Sequence, residues 1–338
     1  MQKGGQGSFV LVSGASGFIG AAVTRALRSA GRGVLAIDIR GDEAEEVIHC
    51  DLLEAHRLHE LARECDIEAI LHCGGVSGPM LYADRPGIVA RTNVEGTLNL
   101  LELARIHRIS RFVFCSSASV YGPRAADDLV CVESALHPRS AYAASKIAGE
   151  ALVEAYSNCH GLDGISLRIA AVYGPGRRTD CFIREMILAG LNNRPLSIGA
   201  GGSQRYHFVH IDDVVSALTA ALWAVSARRT HTIAGGPGLT LRELADVVRA
   251  IVPGPDIIVG SALDGLSDPQ GIYDLSSSRA DFGWTPSVPL EDGIASYVEW
   301  LSRDSDQVSE PAADPASTGE APAETGSPPT SRFSTGDA

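Results

Sequence analysis

The stretch FVLVSGASGFIG, residues 9–20, places a short apolar run directly before a glycine-rich turn. Residues 9–12 predict a buried strand, and residues 18–30 predict a helix. Gly14 and Gly17 lie between the strand and the helix, and Gly20 lies in the first turn of the helix. Because glycine has no Cβ, this backbone can turn tightly and lie against a ligand, and the N-terminus of the next helix attracts anions. The pattern is typical of a turn that binds a pyrophosphate.

A second predicted strand, residues 33–37, ends at Asp38. The interval from Gly14 to Asp38 is close to the roughly twenty residues that separate a dinucleotide-binding glycine loop from the acid that accepts a ribose hydroxyl. A carboxylate there binds the 2′-hydroxyl of NAD and repels the 2′-phosphate of NADP. Arg40 leaves some room for NADP, but Asp38 favours NAD, which we expect as the cofactor.

Strands and helices alternate along the first half of the chain, with strands predicted at residues 69–73 and 111–115 and helices at 52–64 and 87–106. Such alternation predicts an α/β fold of the Rossmann type, a doubly wound parallel sheet with helices on both faces. Ligands bind these sheets beyond the carboxyl ends of the strands. The residues at those ends include Asp51, Leu52, Gly74, Gly75 and the serine-bearing run 116–122.

Tyr142 and Lys146 lie four residues apart in a predicted helix, residues 142–159, and so share one helix face. An isolated pair of this kind is usually part of an ordinary amphipathic helix. Here it follows a dinucleotide-binding pattern and a strand that ends in serines. A neighbouring ammonium favours the phenolate form of tyrosine, so the pair predicts an acid/base catalyst.

With these motifs, residues 8–303 resemble an extended short-chain dehydrogenase/reductase of the NAD-dependent sugar epimerase/dehydratase family. The resemblance implies that Tyr142 is the acid/base, that Lys146 holds the ribose hydroxyls and stabilises the phenolate, and that Ser117 hydrogen-bonds the reacting oxygen. The matching stretches are residues 14–20, Asp38, 51–52, 72–75, 93–97, 116–122, 142–146, 168–176 and 208–213.

The same resemblance extends the predicted site to further residues. Phe18 and Ile19 would offer backbone N–H groups to the pyrophosphate, and Ala170 would lie near the nicotinamide carboxamide. The predicted cofactor contacts are Gly14, Gly17, Phe18, Ile19, Gly20, Asp38, Arg40, Asp51, Leu52, Cys73, Gly74, Gly75, Asn93, Ser116, Tyr142, Lys146 and Ala170. The predicted substrate contacts are Ser77, Ser117, Ser119, Tyr142, Arg178 and Arg205.

The chain departs from the family pattern in ways that narrow the chemistry. Dehydratases carry an Asp-Glu pair after the catalytic Ser/Thr, whereas this chain has Ala118 and Ser119, which argues against dehydration. Ala171 stands where members that act on nucleotide sugars commonly carry Asn. Arg205 lies one residue earlier than the usual phosphate-binding arginine, and Tyr206 takes its place.

Three functions fit these observations. The first is an NAD-dependent (nucleotide-)sugar epimerase that works through a transient keto intermediate. The second, favoured by Ala171 and the displaced Arg205, is a net dehydrogenase of a free sugar acid or another small hydroxy compound. The third is a dinucleotide-sensing binding protein without turnover, against which the presence of Ser117, Tyr142 and Lys146 argues.

Composition excludes several other classes. The net charge is −13, so a basic nucleic-acid surface is not expected. The cysteines number seven and include no C-x-x-C pair, which predicts neither a disulfide framework nor a metal site. Cys73 and Cys115 fall in apolar strands and are interpreted as core residues. Since no signal peptide or membrane span is evident, we expect a cytoplasmic protein.

The predicted domains are an NAD-binding Rossmann domain at residues 8–177, to which 205–235 return, and a smaller α/β substrate-binding lobe formed by 178–204 and 236–303. Residues 304–338 are rich in Pro, Ser, Ala and acids, which predicts a disordered tail. The resemblance further implies a homodimer. We also expect Asp212 and Asp213 to cap a helix, Thr240 to open a capping box, and His207 and His210 to be packed or exposed rather than catalytic.

Overall fold

The computed structural model describes residues 8–254, 256–264, 267–303 and 333–334. They form two compact units. The first consists of the described parts of Met1–Val172, together with His207–Gly238 and Asp268–Val288. The second consists of Tyr173–Tyr206 and the described parts of Leu239–Ser267 and Pro289–Ala338.

The first unit is built on a seven-stranded sheet whose adjacent strands are all parallel. In chain order we call its strands β1 to β7, and their order across the sheet is β7-β6-β5-β4-β1-β2-β3. This arrangement confirms the predicted Rossmann-type fold. The strands are Phe9–Ser13, Gly33–Asp38, Val47–His49, Ile67–His72, Arg111–Ser117, Asp163–Ile169 and Thr230–Ile233.

The helices are named in chain order, α1 to α10. Between α3 and α4 the chain forms a π turn, Arg91–Glu95, and a 3-10 turn, Ala118–Tyr121, follows β5. The helices are Phe18–Ser29, Ala55–Glu64, Pro86–Ala90, Gly96–His107, Ala141–His160, Phe182–Leu191, Ile211–Trp223, Leu241–Ile251, Ser276–Phe282 and Leu290–Arg303.

Alternate residues of the sheet enter two separate hydrophobic cores, because successive side chains of a strand point to opposite faces. In β1, Val10 and Val12 join the core that α1 and α7 cover. Leu11 joins the other core, which α2, α4 and α5 cover. All three side chains are completely buried. The strands are therefore apolar along their whole length, and their carboxyl ends meet at one edge of the sheet.

The second unit contains α6, α8 and α10 and a three-stranded sheet. Strands Leu196–Ala200 and Ile257–Ala262 are parallel, and Phe333–Ser334 pairs antiparallel with the former. The predicted disordered tail, residues 304–338, otherwise lies outside the described residues. Helix α8 begins with the predicted capping box, in which Thr240 and Glu243 bond each other's backbone N–H groups.

Several predicted boundaries were wrong for identifiable reasons. Helix α2 begins at Ala55 rather than at residue 52, because the Asp51 carboxylate accepts the N–H of Leu53 and forms a turn. The predicted helix 87–106 contains the π turn. Further along the chain, two short strands follow each other closely, Arg205–Tyr206 and Phe208–His210.

The return of residues 268–288 to the first unit was not predicted, since 236–303 were assigned to the lobe. The buried carboxylate of Asp213 holds this segment: it accepts the N–H and hydroxyl of Ser287 at 2.8 and 2.9 Å and the N–H of Val288 at 3.2 Å. The Trp284 indole donates to the Asp213 carbonyl at 3.1 Å. The predicted capping role of Asp213 was therefore wrong, and His210 is the residue whose side chain caps α7.

Replacing Asp213 with Ala should destabilise the protein by about 3 kcal/mol, because it leaves two backbone N–H groups of the returning segment without their acceptor. The neighbouring Asp212 has a side chain 79% exposed. Its replacement with Ala should cost less than about 1 kcal/mol. Urea unfolding of both variants checks this difference, and equal midpoints would show that Asp213 does not hold the segment.

Candidate active site

The glycine turn after β1 is packed too closely to accept a side chain at its first position. Gly14 has φ +72°, and a Cβ built on it would lie 2.6 Å from the Cα and N of Gly74. The Ala15 N–H donates to the Ile37 carbonyl at 3.1 Å, which ties the turn to β2. The turn leads directly into α1, whose first residues are Phe18 and Ile19. The glycine turn thus lies at the carboxyl edge of the sheet, and its contact with a pyrophosphate stays a prediction.

Asp38 ends β2 beside this turn. One carboxylate oxygen accepts the N–H of Ser16 at 3.1 Å, and the other accepts the N–H of Arg40 at 2.9 Å. The Ser16 hydroxyl donates to the Arg40 carbonyl at 2.6 Å. These bonds fix the carboxylate while each oxygen keeps a lone pair for a further donor. Arg40 itself is exposed.

The segments after β3 and β4 supply further predicted contacts. Leu52 is buried against Gly74, and a Cβ on Gly74 would lie 2.9 Å from a Leu52 methyl group. Gly75 is exposed, and Ser77 is also exposed. The sulfur of Cys73 lies 3.4 Å from the sulfur of Cys115, at the end of the adjacent strand β5. The structure therefore gathers these residues at the edge that carries the glycine turn.

Asn93 is held inside the π turn and is buried. Its amide oxygen accepts the N–H of Val76 at 2.7 Å, and its amide nitrogen donates to the Val76 carbonyl at 3.1 Å and to the Ser145 hydroxyl at 2.9 Å. Asn93 thus joins the segment after β4 to helix α5. Its predicted place beside a cofactor stays a prediction, whereas its bonds show a role in positioning.

Helix α5 carries Tyr142 and Lys146, and two features fix it on the sheet. Its N-terminus is capped by Ser140, whose hydroxyl accepts the N–H of Ala143 at 3.1 Å. Gly149 allows the helix to approach β5, since a Cβ there would lie 2.5 Å from the Phe114 ring. A larger residue at this position would push the helix, and with it the tyrosine and lysine, away from the sheet.

Lys146 is nearly completely buried, although it carries a charge. Its ammonium donates to the Cys115 carbonyl at 2.8 Å and lies 5.8 Å from the centre of the Tyr142 ring. A buried cation of this kind needs polar partners, and it supplies positive charge beside the tyrosine. The side chains of the predicted Tyr-Lys pair therefore lie together, one turn apart on a buried helix face.

Ser117 lies at the end of β5, where the 3-10 turn begins. Its hydroxyl oxygen accepts the N–H and the hydroxyl of Ser119 at 3.2 and 3.0 Å. These two donors leave the Ser117 hydroxyl hydrogen for another acceptor. Ala118, between them, is buried and has no group that could transfer a proton.

A buried ion pair beneath the site was missed by the sequence analysis. Glu150 lies one turn beyond Lys146 and makes three contacts with the Arg168 guanidinium, at 2.7 to 3.1 Å. It also accepts the Ser116 hydroxyl at 2.5 Å. Such a pair is tolerated because its remaining polar groups are satisfied. The polar residues at positions 142, 146 and 150, spaced four apart, were the feature of the sequence that could have indicated this ion pair.

The second group that was missed is a buried chain of hydrogen bonds through His72. Its Nδ1 lies 2.8 Å from the Ser13 hydroxyl and its Nε2 lies 3.0 Å from the Thr97 hydroxyl. Thr97 donates to the Asn93 carbonyl at 2.6 Å, so its oxygen accepts from His72, and Nε2 must carry the proton. The chain links the end of β1 to the π turn, and burial lowers the pKa of His72 to about 3, with a further contribution from Lys146.

Tyr142 also lines a cavity of about 300 Å³. Its apolar wall comes from the segment after β4 and from α3, and includes Leu81, Pro86 and Val89. Arg139 and Ser140 line the part next to the tyrosine. This volume is at the lower end of the range for small-molecule sites.

The other predicted residues lie elsewhere in the first unit or in the second unit. Ala170 follows β6, and its N–H donates to the Ile233 carbonyl at 2.9 Å. His207 is buried and stacks on Tyr273, with 4.3 Å between ring centres. Arg178 and Arg205 belong to the second unit, where the Arg178 guanidinium lies over the Trp300 ring. Their predicted substrate contacts stay predictions.

The described residues contain no group of three or more His, Cys, Asp or Glu side chains arranged to hold a metal ion. None of the helices in that part of the chain is both long enough and apolar enough to cross a lipid bilayer.

The sequence is similar to proteins that are named for reactions of sugar nucleotides. Residues 10–234 match the model of the NAD dependent epimerase/dehydratase family. The UDP-glucose 4-epimerase of Mycolicibacterium smegmatis is 31% identical over 317 residues, which cover 86% of this chain and 97% of that protein. The dTDP-glucose 4,6-dehydratase of Streptomyces niveus is 29% identical, with coverage of 86% and 92%. Relatives at similar identity thus catalyse different reactions.

A solved structure resembles the whole described chain. MoeE5 in complex with UDP-glucose and NAD is 30% identical, with a TM-score of 0.78 over 88% of this chain and 99% of that one. The similarity extends over both units. It confirms the α/β fold with a smaller C-terminal lobe.

The lowered pKa of His72 predicts a pH dependence of stability. Between about pH 3 and its ordinary value of 6.5, the unfolded chain binds a proton that the folded protein does not bind. Unfolding free energy should therefore rise with pH through this window, by up to about 1.3 kcal/mol per pH unit from His72. Replacing His72 with Gln should reduce that slope, as measured by urea unfolding at several pH values. The same replacement at the exposed His49 is the control, and an unchanged slope in His72→Gln would contradict the assignment.

Proposed function

Since the chain belongs to the NAD dependent epimerase/dehydratase family, we propose that it is an NAD-dependent epimerase of a nucleotide sugar. The observation that carries the proposal is the pairing of Tyr142 with the buried ammonium of Lys146, which bonds the Cys115 carbonyl of β5, the strand that ends at Ser117. A protein that only sensed a dinucleotide would not require this set of residues.

The residues at the carboxyl edge fit NAD. The turn at Gly14 leaves no space for a side chain, which suits a backbone that approaches a pyrophosphate. The fixed carboxylate of Asp38 suits a ribose 2′-hydroxyl and disfavours a 2′-phosphate. When bound, NAD supplies the acceptor and donor of the hydride. We propose that the other predicted cofactor contacts at this edge also bind NAD.

Proton transfer is assigned to Tyr142. Its phenolate accepts the proton of the reacting hydroxyl, and its phenol returns a proton when the carbonyl is reduced again. The ammonium of Lys146 stabilises the phenolate, because its charge lies close to the ring in a buried site. Ser117 donates its hydroxyl hydrogen to the reacting oxygen and stabilises the charge that develops there.

Two relatives support a substrate class. The M. smegmatis protein is named for UDP-glucose, and MoeE5 was solved with UDP-glucose bound. We therefore propose a UDP-linked or related nucleotide sugar as substrate. Dehydration is disfavoured, because Ala118 and Ser119 occupy the positions where dehydratases carry a carboxylate pair. Neither side chain can act as a carboxylic acid or base.

A net dehydrogenase of a free sugar acid is the second candidate. It is favoured by Ala171, which offers a methyl group where an amide commonly contacts the nucleotide. Arg205 and Tyr206 are successive residues of one short strand, so their side chains point to opposite faces. The arginine side chain, displaced by one residue from its usual position, therefore points to the opposite face of the strand.

We also propose that the protein is a homodimer. A mass of a single chain, measured by light scattering, would contradict this proposal.

An assay of UDP-sugars tests the function. The enzyme should interconvert a UDP-sugar and its epimer in the presence of NAD without accumulating NADH. In Tyr142→Phe the rate should fall by about 100-fold or more, because the proton acceptor is lost, while NAD binding is retained. Tyr156→Phe, in the same helix, is the control, because the Tyr156 hydroxyl donates to Glu102 and has no assigned part in the reaction. Steady NADH formation with a free sugar acid, and no epimer, would favour the dehydrogenase instead.

A further inference from the structure

Two cysteines lie side by side beneath the proposed cofactor site. Cys73 and Cys115 directly follow His72 and Phe114, which are paired neighbours in the parallel strands β4 and β5. Their sulfur atoms are 3.4 Å apart. Adjacent strands run about 4.8 Å apart, which is within the range of Cα separations that a disulfide spans. Joining the sulfurs shortens their separation from 3.4 Å to about 2 Å, so the two side chains must rotate and the backbone that carries them must shift slightly.

We propose that Cys73 and Cys115 form a reversible disulfide on exposure to hydrogen peroxide, and that this bond weakens dinucleotide binding. The formation of the bond follows from the geometry of the cysteines alone. Its effect on NAD rests on the function proposed above. Neither cysteine is assigned a part in the proton transfer, although Cys73 is one of the predicted cofactor contacts.

The reaction needs one peroxide and no other reactant. The Cys73 thiolate attacks a peroxide oxygen, the O–O bond breaks, and a sulfenic acid and hydroxide form. The Cys115 thiolate then attacks the Cys73 sulfur and expels its oxygen as hydroxide. Both hydroxides take up the protons that the thiols released, so two thiols and one peroxide become one disulfide and two water molecules.

Cys73 is the residue that reacts first, because it is half-buried whereas Cys115 is only 5% exposed. Burial raises the pKa of Cys73 well above its ordinary value, and the ammonium of Lys146 opposes this effect. The thiolate population is therefore small near neutral pH, and the reaction is slow there. It should be followed at mildly alkaline pH.

The backbone at Cys73 couples the disulfide to the glycine turn. The Cys73 N–H donates to the Ser13 carbonyl at 3.1 Å, and the Gly74 N–H donates to the Ser13 hydroxyl at 3.3 Å. Gly74 and Gly14 are in contact with no space for a Cβ between them. A shift of Cys73 toward β5 therefore moves Gly74 and changes the fit of the turn to a pyrophosphate.

The backbone at Cys115 couples the same bond to the catalytic helix. Its carbonyl accepts the Lys146 ammonium at 2.8 Å. Movement of this carbonyl displaces the cation that is proposed to hold the ribose. Both ends of the disulfide thus act on groups assigned to NAD, and displacements of about 1 Å at such sites can cost roughly 100-fold in function.

The test treats the full-length enzyme with hydrogen peroxide and measures two quantities. Peptide mass spectrometry without reduction should find Cys73 and Cys115 in one cross-linked peptide. Calorimetric titration should show that NAD affinity falls by about tenfold or more and returns after treatment with dithiothreitol. Each protein is compared with its own untreated sample.

Cys115→Ser is the informative variant, because it cannot form the bond and should keep its untreated NAD affinity after peroxide. Cys159→Ser is the matched control, since Cys159 is exposed on α5 and should leave the response as in the natural chain. Absence of the cross-linked peptide would overturn the modification site, and an unchanged affinity with the peptide present would overturn its coupling to NAD. Lack of NAD binding by the untreated enzyme would instead count against the proposed function.

Discussion

The contact between Gly14 and Gly74 is the constraint on which the site depends. It brings the turn after β1 against the segment after β4, at a separation that excludes even one methyl group. The two strands are neighbours in the centre of a parallel sheet, and both are buried on their two faces. The sheet therefore fixes the positions of the strand ends, and the glycines let the backbone there remain close and uncovered. Asp38, at the end of the next strand, adds a carboxylate of fixed direction.

The polar groups beneath the site are buried, and each is held by partners. Lys146 bonds the end of β5, Glu150 bonds Arg168 and Ser116, and His72 bonds both Ser13 and Thr97. Burial of such groups is unfavourable unless their hydrogen bonds are made, so these networks tolerate few alternative arrangements. They connect β1, β5, the π turn and α5. The positions of Tyr142 and Ser117 are consequently determined by the sheet rather than by flexible loops.

Much of the fold and part of the site could be predicted from sequence because their signals are local. The apolar strand before Gly14, the acid at residue 38 and the four-residue spacing of Tyr142 and Lys146 are each contained in a short window. The role of Asp213 could not be predicted from a short window of sequence, because its partners, Ser287 and Val288, lie more than seventy residues away. The π turn was missed for a related reason. It is stabilised by the bonds of Asn93 to Val76 and Ser145, which no helical periodicity reveals.

We propose that the carboxyl edge of the sheet binds NAD and that Asp38 selects NAD over NADP. Calorimetric titration of nucleotide-free protein with NAD and with NADP tests this most directly, with Asp38→Ala as the comparison. The natural chain should bind NAD at least about tenfold more tightly than NADP, and Asp38→Ala should lose most of that preference, because a charge-assisted hydrogen bond and a charge repulsion are both removed. Equal affinities for the two nucleotides in the natural chain, or a preference for NADP, would contradict the account.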